Sequence, residues 1–395
     1  MASPLPNHGP DNDRPIAIDN SKKATGILSY SLNDVRNEQL LSNFLETTGT
    51  TSDKELVAQL LSLKAVCEVS LGPQLNYDIT VPFDSSQDVK YRKIGFGQCG
   101  LIFSKPGQDT IVKVAKPFFH HALHADYLAH IAVHDAFARQ REAPECRIPR
   151  VYDHIHATST WWNDNASLLN EQHPEFPLSS GALISEYIPP LPKVVREVFI
   201  KRYCPEHLQQ SALDNPLNRD CLARVYLGRR RAPNQPLQAN FSLRNFNLHL
   251  DQMIEMNLPV ETYARVMGQA LAIIHWAANV DGYDIEFVLG SEASDSGGYA
   301  ARMWVLDFNL CSRFESSAAT LHPDTIVDQL VIAFYENDPY YPRPCVDSEP
   351  EEQLWNAFKA AYILKAEEIL GTLGLTLLKA FPQRFIDACV ERAKL

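Results

Sequence analysis

Four carboxylates crowd one stretch of this chain: Asp281, Asp284 and Glu286 in DGYDIE, then Asp307 in VLDFN. Carboxylates grouped in this way can hold a divalent cation, clamp a guanidinium with two parallel hydrogen bonds, or take a proton from an attacking amine. Upstream, Gly95, Gly97 and Gly100 form a GxGxxG run, and Lys113 follows in TIVKVAK, with Lys116 as the alternative cation. A glycine turn and a strand lysine are the parts from which a phosphate cradle is built. Asp126, a little further on, is an acid that could pair with Lys113. Arg229, Arg230 and Arg231 make a compact basic run with Arg224 just before it, and guanidinium forks suit phosphate oxygens. Trp161, Trp162 and the aromatics of YENDPYY could stack bases, although core packing is the commoner use of such residues.

The elements that must position these groups follow from periodicity. Residues 52–66 read as a helix, with Ser52 as cap and Glu55 completing a capping box. Residues 90–116 alternate with period two around the glycines and a Pro-Gly turn, which predicts three antiparallel strands. A helix is expected over 119–141, a loop around WWNDN, and a buried strand in GALISEYIPP. After residue 192 the chain reads as mainly helical. VETYARVMGQALAIIHWAANV is its buried centre, and IEFVLG and RMWVLDFNLC are strand-like segments flanking the loop SEASDSGGYAA. The expected fold is therefore α+β and two-lobed, a small antiparallel β lobe plus a larger mainly helical lobe. The expected divisions are a flexible segment with one helix over 1–85, the β-rich lobe over 86–188, and the helical lobe with the acidic site over 189–395.

A glycine loop followed by a helix would suit a dinucleotide fold, but here the strand LIFS follows. A glycine turn between strands, a strand lysine, an acid on the next helix, and two acids near short strands come in protein-kinase order. Asp281 and Glu286 keep the five-residue step between a kinase base and its metal-binding Asn, and Asp307 takes the place of the second metal-binding Asp. Asn279 stands where a catalytic-loop His would be, Glu286 replaces the Asn, and Asn309 takes the third position of DFG.

Bulk composition narrows the classes. The chain has 395 residues, 45% hydrophobic and 10% aromatic, which suits a folded enzyme and excludes general disorder. Its net charge of −12 confines nucleic-acid contact to a local patch and argues against DNA as a partner. Eight scattered cysteines without a CxxC pair fit free thiols in a reducing compartment and supply no zinc-ligand spacing. No metal ligand set is expected. The start, MASPLPNHGPDNDRP, has no apolar signal core, and no apolar run of membrane-spanning length occurs, so a cytoplasmic location is expected.

The segments YRKIGFGQCGLIF, LPKVVREVFIKRYCP, NPLNRDCLARVYLGRRR, FSLRNFNLHLDQM, IIHWAANVDGYDIEFVLGS, WVLDFNLCSRF, AFYENDPYYPRP and FPQRFIDACVER together resemble a large fungal family labelled zinc-finger-like. In or near that family lie the fungal arginine-containing cyclodipeptide synthases, which this chain resembles in layout from about 90 to 395. The resemblance implies an aminoacyltransferase of secondary metabolism that joins arginine from arginyl-tRNA to a second residue from another aminoacyl-tRNA, with no cofactor. It implies that Asp281, Asp284, Glu286 and Asp307 do the chemistry and that Arg224 and Arg229–Arg231 meet the tRNA. Those synthases are expected to carry adjacent aspartates, whereas this chain has no Asp-Asp pair. The alternatives are a kinase-like phosphotransferase, with ATP under Gly95–Gly100 and Mg²⁺ on Glu286 and Asp307, or a pseudokinase-type interaction module.

Overall fold

The Ser52 hydroxyl accepts the Glu55 amide at 3.2 Å and starts α1 (Asp53–Leu60). The helix is shorter than its periodicity suggests. Leu56, Val57 and Leu60 sink into the largest hydrophobic core, and the Leu61 carbonyl accepts the Tyr263 hydroxyl at 2.7 Å. In this computed structural model the described residues are 52–63, 91–105, 107–142, 144–170, 181–232, 241–293, 299–315, 323–337 and 339–395. All lie in one unit, Ser31–Leu395. The expectations for the N-terminal segment up to residue 51, for YDITVPFDSS and for the middle of SEASDSGGYAA fall outside them.

Among the described residues the structure is mixed α/β with two five-stranded sheets. The alternating stretch after residue 90 gives β1 (Arg92–Phe96), β2 (Gly100–Ser104) and β3 (Thr110–Ala115), then α2 (His120–Ala138). Next come β4 (Cys146–Arg147), β5 (Val151–Ile155), α3 (Trp161–Asn170) and β6 (Ala182–Glu186). The first sheet runs β1-β2-β3-β6-β5 with every pairing antiparallel. Leu101, Phe103, Val112, Val114 and Ala182 form its core with Trp162 and Leu169 of α3. The segment WWNDN is thus the start of a helix rather than a loop, and Trp162 packs in the core while its Nε1 donates to the His156 carbonyl at 2.9 Å.

The remainder begins with α4 (Lys193–Tyr203), α5 (Glu206–Asp214), β7 (Ala223–Tyr226), β8 (Phe246–His249), α6 (Leu250–Glu255) and α7 (Val260–Trp276). It continues through β9 (Glu286–Ala293), β10 (Tyr299–Leu306), α8 (Pro323–Glu336), α9 (Glu349–Thr372) and α10 (Phe381–Arg392). This part carries more strand than the sequence suggests. The second sheet runs β4-β10-β9-β7-β8, and β4, from the stretch assigned to the small lobe, pairs in parallel with β10. As expected, α7 is buried along its length. It packs on α9 so closely that a Cβ at Gly268 would stand 2.3 Å from the Phe358 carbonyl oxygen. Tyr340 and Tyr341, in the aromatic stretch, are buried packing residues. The seven described cysteines are all free thiols. No helix among the described residues is long and apolar enough to cross a membrane.

Candidate functional site

The glycine run forms the turn from β1 into β2, closed by the Gly97 amide donating to the Gly100 carbonyl at 2.9 Å. A Cβ at Gly100 would meet the Val114 carbonyl oxygen at 2.8 Å and Lys113 Cγ at 3.1 Å, so the bare backbone lets Lys113 lie beneath the turn. Burial of β3 places Lys113 inside, only 8% exposed. Its ammonium donates to Asp126 of α2 at 2.7 Å and to Asp307, just past β10, at 2.6 Å. The second Asp126 oxygen accepts the Phe308 amide at 3.1 Å, locking α2 to the segment after β10. Burial alone would push the Lys113 pKa down, but the two carboxylates outweigh it and hold the ammonium well above its usual range. Lys116, the alternative cation, lies outside with its Nζ 3.6 Å from the Phe96 ring centre.

Antiparallel register brings the next acid in. Glu286 opens β9 opposite Leu306, one residue before Asp307. Arg224 on β7 forks onto the Glu286 carboxylate through Nε and Nη2. The pair is mostly covered, with side chains 25% and 17% exposed. Tyr226 and Tyr340 cross edge to face beside it, 5.1 Å between centres. Burial lifts the Glu286 carboxyl to about 7 against the pull of Arg224, and Asp307 and Asp284 add to the rise. Asp284 and Asp307 sit in left-handed backbone, with φ of 62° and 67°. Aspartate tolerates that region better than most residues, yet it costs about 1–3 kcal/mol, and such strain gathers at functional sites.

Asp281 does not do what its spacing suggests. It is 4% exposed, and its carboxylate accepts the Ser312 amide at 2.9 Å, the Tyr283 amide at 3.1 Å and Gln329 Nε2 at 2.9 Å. The backbone around it is zipped to the segment after Asp307 through Asp281 N to Ser312 O and Phe314 N to Asn279 O. Three hydrogen bonds thus tie this carboxylate into the loop that carries Asp284. The expected loop histidine is absent at position 279, but His275 on α7 donates Nε2 to the Asp281 carbonyl at 3.2 Å and so braces the loop from behind. Burial drops the His275 pKa to about 3, so the ring is neutral, with Nδ1 2.9 Å from the Tyr362 hydroxyl.

Cys311, not singled out from sequence, marks the centre. Burial, then Asp281, Asp126, Asp307 and Asp284, push its thiol well above the usual range, so the four carboxylates share one neighbourhood. Its only early signal was adjacency to LDFN. Cys99, Asp126 and Asp307 bring ligand atoms within 4.8 Å of one another, the one such group among the described residues. The Lys113 ammonium already bonds both carboxylates there, which fills the part a metal ion would play.

The arginine surface is largely spent within the chain. Arg230 forks onto Glu351 at 2.5 and 3.1 Å. Arg231 bonds Asp251 at 2.7 Å and lies over the Tyr203 ring, and Arg224 holds Glu286. The run therefore offers far less positive charge to phosphates than its composition suggests.

A family model, DUF3669, described as "Zinc finger protein", matches residues 303–373, from β10 through Asp307 into α9. That stretch contains two cysteines, Cys311 and Cys345, and one histidine, His322, widely spaced and one ligand short of a four-coordinate structural zinc site. No curated protein matches the chain.

Proposed function

We propose that this chain is an aminoacyltransferase that makes cyclo(Arg-Xaa) from arginyl-tRNA and a second aminoacyl-tRNA, on a two-lobed, protein-kinase-like scaffold. The scaffold reading is supported by the antiparallel order of the first sheet, the glycine turn over Lys113, and the Lys113–Asp126–Asp307 link. The observation that carries the functional reading is the gathering of four carboxylates, Asp126, Asp284, Glu286 and Asp307, around Lys113 and Arg224. Such a site favours a cationic guanidinium or ammonium and opposes an unescorted polyphosphate.

Glu286, poised at about 7, is the base. It takes a proton from the α-amine of one aminoacyl group as that nitrogen attacks the ester carbonyl of the other. The new C–N bond forms, the C–O bond to the ribose breaks, and the proton passes to the departing ribose oxygen. The remaining amine repeats the attack on the second ester and closes the ring. Both esters are already activated, so the step consumes no ATP. Asp284 faces the guanidinium of the arginyl group.

The test is expression in a host free of cyclic dipeptides, followed by mass spectrometry for arginine-containing products. Asp284→Asn and Glu286→Gln, which remove charge and keep shape, should abolish the product while circular dichroism stays unchanged. Full product from both variants would refute the assignment. A second reading, ATP-dependent phosphoryl transfer, is favoured by Lys113 lying under a glycine turn. Against it, the supposed base Asp281 accepts three hydrogen bonds from within the chain.

A further inference from the structure

We propose that His124, His154 and His156 form a binding site for a divalent transition-metal ion of the zinc class, where α2 packs against β5; this does not rest on the aminoacyl-tRNA reading above. His124 lies on α2, His154 lies on β5, and His156 follows directly after that strand ends at Ile155. The rings of His124 and His154 stand 4.9 Å apart, centre to centre, and those of His154 and His156 stand 4.8 Å apart. Tyr127 lies beside them, its ring 5.1 Å from His154 and 6.2 Å from His124. Among the described residues no hydrogen bond occupies a ring nitrogen of the three histidines.

Neutral imidazole is the commonest protein ligand for ions of this class. Burial, then His124 and His156, hold the His154 ring below its usual pKa, so its lone pair stays available near neutral pH. The backbones that carry the rings are fixed. The His154 amide donates to Asp153 at 2.8 Å, His154 pairs with Leu183 of β6, and the His156 carbonyl accepts Nε1 of Trp162 at 2.9 Å. The ring nitrogens of all three do not yet meet within 4.8 Å of one another. His124 and His156 are exposed and free to change rotamer, so they close on the half-buried His154 when the ion arrives. Three protein ligands leave the fourth tetrahedral position to water. His124 precedes by two residues Asp126, which bonds Lys113, so a bound ion pins to β5 the helix that carries this acid.

The experiment titrates the chelator-treated full chain with Zn²⁺ in a calorimeter. Expected are one ion bound per chain and a melting temperature that rises with Zn²⁺ but not with Mg²⁺, since hard cations prefer oxygen ligands. His124→Ala and His156→Ala, both at exposed positions, should each weaken binding by at least about tenfold, a loss that even outer-shell partners of a metal produce. His120 and His121, a separate pair with ring centres 4.0 Å apart at the start of α2, serve as the control, and replacing both with Ala should leave the affinity unchanged. Co²⁺ reports the donor atoms, because an imidazole site gives no sulfur charge-transfer band. No Zn²⁺ binding, binding indifferent to His124 and His156, or loss in the His120 and His121 control would each overturn the site. So would a thiolate band, which would put the ion on a cysteine such as the exposed Cys345. The readout involves no chemistry, so Zn²⁺ binding of this kind in a chain that makes no cyclic dipeptide would sink the activity and keep the site.

Discussion

Lys113 holds two acids at once, and its side chain is only 10% exposed. Removing the charge with Lys113→Met would leave Asp126 and Asp307 facing one another without a cation. The expected loss is about 3–5 kcal/mol of unfolding free energy, the usual result of breaking a buried pair, read as a lower urea midpoint. An unchanged midpoint would mean that the bonds contribute nothing. Glu286 gives a pH prediction. A base must be ionised, so product formation should climb about tenfold per pH unit below about 7 and level off above it. Arg224 pulls that carboxyl down, so Arg224→Met should move the rising limb to higher pH. A limb that stays in place would show that Glu286 is not the titrating base. The stability sign is opposite to that of an ordinary paired carboxylate. With its folded pKa raised from 4.5 to about 7, the native state binds the proton more tightly, so this group's contribution falls as pH rises across that window. The Lys113–Asp126 pairing was legible in the sequence, because a strand lysine followed by an acid on the next helix comes in protein-kinase order. The role of Asp281 was not. Spacing gives the order of residues along the chain, but the donors that capture this carboxylate come from positions 283, 312 and 329.

Among the elements, the β9–β10 hairpin does most of the positioning, since its register sets Glu286 opposite Leu306 beside Asp307. IEFVLG and RMWVLDFNLC were legible as strands, but the pairing runs on through Ala293 and starts at Tyr299, inside the two ends of SEASDSGGYAA that were expected to be loop. β7 and β8 are four residues each, too short to show a period, and went unseen. That omission had a consequence. Without β7, Arg224 read as a surface cation, whereas the pairing of Arg224 with Val288 sets it next to Glu286. The helices were easier to read: the strongly apolar character of α7 gave its burial correctly. What periodicity could not give was its closeness to α9, which depends on Gly268. Gly268→Val should force the two helices apart, because its first added carbon would overlap the Phe358 carbonyl. The expected cost is about 1–3 kcal/mol, measured as a fall in urea midpoint. A variant as stable as the wild type would show that the interface yields freely.

For the whole molecule, the two sheets with their own cores and the acids between glycine turn and hairpin were partly foreseeable from motif order. The cluster of carboxylates was foreseeable too, but the bonds from Arg224 to Glu286 and from Lys113 to Asp307 required the folded chain. The central claim is that this acidic site works on charged tRNAs and not on ATP. The most direct measurement supplies purified protein with precharged arginyl-tRNA and a pool of other aminoacyl-tRNAs, without nucleotide, and follows cyclic dipeptides by mass spectrometry. The account predicts an arginine-containing product that vanishes with RNase and is indifferent to added ATP. A reaction that survives RNase and requires ATP with Mg²⁺ would contradict it and assign the site to phosphoryl transfer.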